Sequence, residues 1–454
     1  MTAFGINTSF ANWNSRLPLF ADPLRRGKIF EVFKEDGTPT GEPSPLGADG
    51  WPVMDGRWHG VRLFGDQDGF MPDLSGSIYQ AQLNGGHTKF RINPGKSAFV
   101  YWKEGRPRLE KLKPHISGFH TPSLEALNYF NPTVLRTLDW GYQARKEKRP
   151  DWSKPRVLPT DPLQGEEMAV ELHCEAANLL KCHLWWNAPP RFELSVAEYE
   201  ERLEAYLRTI AILTTKPHVL EYGNELWNSA FPVHGWLARH PGAHWTEEAA
   251  DEIATMKRVA DRVFGHPGIL GQKPYFLFVG GHIAVPDTFD KILSALAALG
   301  VTPDLAGPAL YATPLKVDRD RWQQTGEVPT QDQLKESMLA NLPALATKLL
   351  GHKLACKSHG VPYLGVYEAG QSMIANGRPW KAAAIEAQRS EWLGGIYREL
   401  RKMCEDEKVT VANWYAAASD QNPADARVDC FGLLEATLDK AEPLPKAKTA
   451  RGGA

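Results

Sequence analysis

Two glutamates each end an apolar run that reads as a β-strand. Glu225 lies in HVLEYGNELWN (residues 218–228) and Glu368 in VPYLGVYEAG (residues 361–370). Alternating strand and helix patterns fill the interval between them. In a (β/α)8 barrel the C-terminal strand ends open into one shared cleft. Two carboxyls brought together there can serve as acid/base and nucleophile for breaking a glycosidic bond.

The elements that must position them follow from period and punctuation. AFGI (3–6), PTVLRTLDW (132–140), KCHLWWNAP (181–189), HVLEYGNE, PYFLFVGGH (274–282), DLAGPALYA (304–312), VPYLGVYE and VTVANWYAAAS (409–419) read as strands. Helical spacing marks 166–180, SVAEYEERLEAYLRTIAI, about 246–264, TFDKILSALAAL, a long run after Thr330 reaching Cys356, and about 381–405. Ser195 with Glu198, and Thr330 with Gln333, have the spacing of capping boxes. Eight strands with helices mostly between them predict an α/β fold, a (β/α)8 TIM barrel. Strand-like, turn-rich sequence from about 57 to 120 predicts a small antiparallel β insert near the N-terminus. The expected layout is residues 1–35 as first barrel strand and loop, 36–120 as β-rich insert, 121–440 as the rest of the barrel, and 441–454 as a Pro- and Lys-rich flexible tail.

Composition narrows the function class. The chain has 454 residues, 43% hydrophobic and 23% charged, which excludes a disordered or fibrous protein. A net charge of −2 gives no global field for nucleic acid or an anionic membrane, and no run of apolar residues is long enough to span a bilayer. Cys174, Cys182, Cys356, Cys404 and Cys430 fit no zinc or redox spacing, so reduced structural thiols are expected and no metal. HExxH, G-x-S-x-G, P-loop and GxGxxG patterns are missing, and no cofactor is implied. The opening MTAFGINTSFANW has no signal-peptide pattern, leaving a cytoplasmic or virion-associated protein, or one secreted with its leader removed.

With these motifs in place, the chain resembles the clan A glycoside hydrolases, retaining (β/α)8 enzymes whose acid/base Glu follows an Asn at the end of strand four. Their nucleophile is a Glu ending strand seven. Asn224-Glu225 and Glu368 match, and GIN, DGWP, LRTLDW, EYGNELWN, YEAG and FGLLE resemble a cellulase-like branch. The resemblance implies that Arg136 supports the nucleophile, His183 binds substrate, Tyr311 hydrogen-bonds the nucleophile, and Trp414 lies under the sugar of the −1 subsite. It departs at Ala309, where many members carry His; His282 could serve instead.

The residues themselves leave alternatives. Arg136 could pair with Asp139 or Glu221, and Glu221 reads as a layer residue of the barrel. His183 could be a satisfied core histidine. Trp140, Trp185, Trp186 and Trp227 could stack on sugar rings or fill the core. A Glu368 beside Arg136 and Tyr311 would have its charged form favoured, and a Glu225 near Trp227 and Glu368 would have it disfavoured. The basic stretch ARKEKRPDWSKPR (144–156) reads as a solvated loop or a contact for an anionic polysaccharide. The expected partner is a polysaccharide or oligosaccharide substrate, hydrolysed or passed to a sugar acceptor. The rival reading is a non-catalytic carbohydrate-binding or structural barrel of a larger assembly such as a phage tail.

Overall fold

The computed structural model describes residues 2–7, 30–36, 38–47, 52, 53, 55–64, 67–70, 78–81, 89–92, 97–102, 115, 116, 119–140, 168–239, 244–265, 273–375, 377–417, 433, 434 and 443–452. The basic stretch 144–156 and Cys430 lie outside the described residues, as does the side chain of Asp139.

Eight parallel strands close into a barrel: β1 (Ala3–Asn7), β2 (Val134–Arg136), β3 (His183–Ala188), β4 (His218–Tyr222), β5 (Tyr275–Gly281), β6 in two pieces (Leu305–Pro308 and Leu310–Ala312), β7 (Tyr363–Gln371) and β8 (Val411–Trp414). Each strand pairs with the next, and β1 closes the ring on β8 through Ala3↔Val411 to Ile6↔Trp414. Gly307 belongs to the first piece of β6. A Cβ there would stand 1.9 Å from the carbonyl oxygen of Gly365 on β7, so only glycine allows this close approach.

Helices surround the ring: α1 (Thr121–Asn128), α2 (Val170–Leu179), α3 (Val196–Leu213), α4 (Pro232–Leu237), α5 (Trp245–Phe264), α6 (Pro286–Ala298), α7 (Lys316–Thr325), α8 (Gln331–Ser358), α9 (Lys381–Ala387), α10 (Glu391–Asp406) and α11 (Pro445–Arg451). Both expected capping boxes form, Ser195 with Glu198 on α3 and Thr330 with Gln333 on α8. Strand side chains alternate between two cores. Val134, Trp185, Val219, Phe278, Leu305, Tyr367 and Val411 fill the barrel interior. Leu135, Trp186, Leu220, Leu277 and Ala412 face the helices.

Between β1 and α1 an antiparallel sheet runs in the order Pro39–Pro43, Phe30–Phe33, Trp58–Phe64, Ser97–Trp102, Ile78–Ala81. A second pair joins Gln67–Phe70 to Lys89–Ile92. The sheet takes in Phe30–Phe33, so it starts before the expected boundary at residue 36. The tail also differs from expectation. Within the expected tail, Pro445–Arg451 form α11 against α10, burying Ala447 and Ala450, which share one helical face. Lys446 is buried as well, its Nζ donating to Gln388 Oε1. Among the described residues no helix is long and apolar enough to cross a membrane. Cys174, Cys182, Cys356 and Cys404 are buried and free, and burial pushes each thiol up to about 12.

Candidate active site

At the C-terminal ends of the strands one guanidinium organises the polar groups. Arg136 ends β2, faces inward and is 0% exposed. Its Nε and Nη2 donate to Glu221 Oε2 at 3.0 and 2.9 Å. Nη1 donates to Glu368 Oε1 at 2.8 Å and to Asn7 Oδ1 at 3.0 Å, and Nη2 also donates to Asn224 Oδ1 at 3.0 Å. The flat faces of the guanidinium lie near the rings of Trp185 and Tyr367, 5.7 and 5.2 Å from the two centroids. A charge buried this deeply is tolerable only because its donors are used. Burial opposes its charge, yet Glu221 and Glu368 outweigh that and raise its pKa.

Glu368 is aimed inward by an irregularity in β7. Val366 pairs with Ala412 and Ala369 with Trp414, so two residues of β7 stand opposite Asn413 alone. Such a bulge breaks the alternation of faces and re-aims a side chain. Glu368 is 6% exposed, and its second oxygen, Oε2, accepts from the Tyr311 hydroxyl at 2.8 Å. Burial, then the charge of Glu368, holds Tyr311 well above the usual tyrosine range, so it remains a donor.

Glu225 follows β4 after a turn. Gly223 and Glu225 both have positive φ, 61° and 45°. The left-handed region is natural for the glycine and costs the glutamate about 1–2 kcal/mol. Asn228 Nδ2 donates to Glu225 Oε2 at 2.8 Å. Burial first, then the negative charge of Glu368, raise the Glu225 carboxyl to about 7; Asn228 and Arg136 offset this in part. Burial likewise raises Glu221 despite Arg136. Trp185 is the floor of the cluster, its Nε1 donating to Glu221 Oε2 at 2.8 Å.

The structure therefore brings Arg136, Asn224, Glu225, Tyr311 and Glu368 together, with Trp185 beneath them. Trp227 and His282 form a partly open wall, their rings 4.0 Å apart and inclined by 34°. Four other candidates fall elsewhere. His183 begins β3 at the N-terminal end of the barrel, where its Nδ1 meets the Pro217 carbonyl at 2.8 Å. Trp186 alternates with Trp185 and so points outward, packing on Tyr206 of α3. Trp140 stands edge-on to His173 of α2 in the helix-side core. Trp414 is stacked on Phe4, with Tyr397 of α10 beside it, on the helix side of β8. The aromatic near the carboxylates at this strand end is instead Tyr415, whose ring meets Tyr311 edge-on with centroids 6.4 Å apart.

Sequence reasoning missed Asn7, Asn187, Tyr367 and Tyr415. Asn7 bridges Arg136 and the Tyr367 carbonyl, and Asn187 donates to the Gly223 carbonyl at 2.7 Å, bracing the turn before Glu225. Both asparagines lie at or near the C-terminal ends of apolar strands, the signal that marked the glutamates. Ala309 lies between the two pieces of β6 and joins the interior packing. Among the described residues no group of three or more His, Cys, Asp or Glu could hold a metal.

No protein-family model matches this chain, and no curated protein does. Solved structures do. The GH51 α-L-arabinofuranosidase of Thermotoga petrophila RKU-1 is similar at 12% identity and a TM-score of 0.48, covering 75% of this chain and 65% of that one. The GH51 arabinofuranosidase of Xanthomonas axonopodis pv. citri gives 13% and 0.45, covering 68% of this chain and 62% of that one. A GH5-4 endoglucanase of Clostridium longisporum gives 12% and 0.42, with 75% and 86% covered. This chain thus spans less than two thirds of either arabinofuranosidase. The eight-stranded parallel barrel is read from this chain's own strand pairing, and these solved structures similar to it are glycoside hydrolases.

Proposed function

We propose that this chain is a retaining glycoside hydrolase acting on an oligo- or polysaccharide, with Glu225 as acid/base and Glu368 as nucleophile. The observation that carries the reading is the difference between the two carboxyls. Glu368 accepts from Arg136 and Tyr311 on its two oxygens, while Glu225 accepts no hydrogen bond from the guanidinium and is raised to about 7. A general acid must hold its proton near neutral pH, and a nucleophile must offer an electron pair.

In the first step a Glu368 oxygen bonds to the anomeric carbon, the glycosidic C–O bond breaks, and the Glu225 proton passes to the leaving oxygen. In the second, water attacks the same carbon, gives a proton to Glu225, and the bond to Glu368 breaks. Of the neighbouring charges, Glu368 acts most strongly on Glu225; retention requires the two carboxyls about 5–5.5 Å apart. Asn224, Trp227, His282 and Tyr415 are the groups we assign to holding sugar, with Trp227 and His282 offering flat faces beside the acid/base.

Retention is tested by following product anomers by proton NMR before mutarotation, on whichever glycan releases sugar. The reading expects the substrate's own anomer first and no release by Glu368→Gln. The opposite anomer first would replace the nucleophile by a general base.

A further inference from the structure

The β7 bulge turns Tyr367 inward together with Glu368, both opposite Asn413. Tyr367 is 1% exposed. Its ring lies near the Arg136 guanidinium, meets Phe278 edge-on at 6.0 Å between centroids, and rests against Gly280, where a Cβ would stand 3.4 Å from Tyr367 Cε1. Its hydroxyl is buried and has no hydrogen-bond partner among the described residues. Buried hydroxyls are seldom left so, because the lost hydration is not recovered. Glu225 has the complementary vacancy: Asn228 donates to Oε2, and among the described residues nothing donates to Oε1.

The surroundings link the two groups. The charges acting on Tyr367 are, in order, Glu225, Glu368, Arg136 and Glu221. Those acting on Glu225 are Glu368, Arg136 and Glu221, with the Asn228 amide bound to it and Tyr311 also within its field. Burial, then Glu225 and Glu368, keep the Tyr367 phenol far above its usual range, so it stays protonated and can only donate to an anion.

We propose that Tyr367 is a positioning residue for Glu225, its hydroxyl donating to Glu225 Oε1 when that carboxyl is ionised and releasing it when the carboxyl is protonated. The kinetic consequence rests on the function proposed above. The bond forms as Glu225 gives its proton to the leaving group, so it favours that transfer and leaves the carboxylate a weaker base toward water afterwards. No covalent bond changes at Tyr367. The residue assists the first half of the reaction.

Two measurements test this with Tyr367→Phe, which keeps the ring and its packing; an unchanged melting temperature checks the fold. The first needs no substrate. Carbon-13 NMR of glutamate-labelled protein follows the Glu225 carboxyl, assigned by its loss in Glu225→Gln. The midpoint is expected about one pH unit higher in Tyr367→Phe than in wild type, the tenfold shift that losing one charge-assisted donor produces. An unchanged or lower midpoint overturns the proposal. The second compares phenyl and 2,4-dinitrophenyl glycosides of the sugar that wild type releases. Phenolate needs the Glu225 proton to leave, so kcat/KM on the phenyl glycoside is expected to fall roughly threefold in Tyr367→Phe, while the dinitrophenyl glycoside, whose leaving group needs no proton, keeps its kcat/KM. An unchanged kcat/KM on the phenyl glycoside, or equal losses on both, would overturn it. If wild type cleaves no glycoside at all, the proposed function fails, while the NMR midpoint still decides the role of Tyr367.

Discussion

Arg136 and Glu368 are 232 residues apart in sequence and 2.8 Å apart in the barrel, joined from Nη1 to Oε1. The same guanidinium holds Glu221 but makes no hydrogen bond to Glu225. One cation thus faces three carboxyls. Full ionisation of all three would leave an uncompensated buried charge, and Glu225, which the guanidinium does not hydrogen-bond, is raised to about 7.

Removing that cation tests the arrangement. Arg136→Ala leaves three buried carboxyls without a counter-charge and is expected to destabilise the fold by about 3–5 kcal/mol. Arg136→Lys restores charge but not the fork that reaches Glu221, Glu368, Asn7 and Asn224 at once. It should fold and lose most activity. Denaturant titration read beside turnover separates the two effects.

Glu225 should cost the fold stability once its carboxyl ionises. Its folded carboxyl titrates near 7 against an ordinary 4.5, so between those values the folded protein binds more protons than the unfolded chain. Stability from this group therefore falls as pH rises from 4.5 to 7, by at most about 3 kcal/mol. Glu225→Gln should be more stable than wild type at pH 8, little different at pH 4, and inactive. Melting temperatures of the two proteins across that range measure it.

His173 and His218 work in the opposite direction. Burial lowers both to about 4 from 6.5, helped at His218 by His183. The unfolded chain binds more protons between 6.5 and 4, so their contribution is complete above 6.5 and lost as pH falls toward 4, about 3 kcal/mol each. His218→Phe should flatten the acid side of the stability profile. An acid limb as steep as that of wild type would count against it.

Tyr311 donates its hydroxyl to Glu368 Oε2. Tyr311→Phe keeps the ring beside Tyr415 and removes one hydrogen bond to a charged group, worth about 1.5–3 kcal/mol. Turnover should fall roughly 10- to 100-fold with the melting temperature nearly unchanged. A large loss of stability with little loss of turnover would make Tyr311 a packing residue instead.

The strand ends carrying Glu225 and Glu368 were legible because an acid terminating an apolar run interrupts a clear pattern, and the barrel followed from counting such runs. The direction of each side chain was not legible. Strands covered by helices outside and packed within are apolar on both faces, so Trp185 and Trp186, adjacent in one run, read alike although only Trp185 lies under the cluster. His183 shares the inward parity of Trp185 but sits at the far end of the strand, a depth that sequence does not mark. Trp414 fails by one residue to Tyr415, and Tyr367 was hidden because the bulge suspends the alternation by which strands are read. The tail looked loose from its prolines and lysines, yet Ala447 and Ala450 supply a small face that fits against α10.

The most direct measurement is release of reducing ends from a panel of neutral and acidic glycans by wild type, Glu368→Gln and Glu225→Gln, each checked for folding by its melting curve. Release is expected from wild type on at least one glycan and from neither folded variant. Release by Glu368→Gln at the wild-type rate, or binding of glycan by wild type with no release on any of them, would contradict the proposed function.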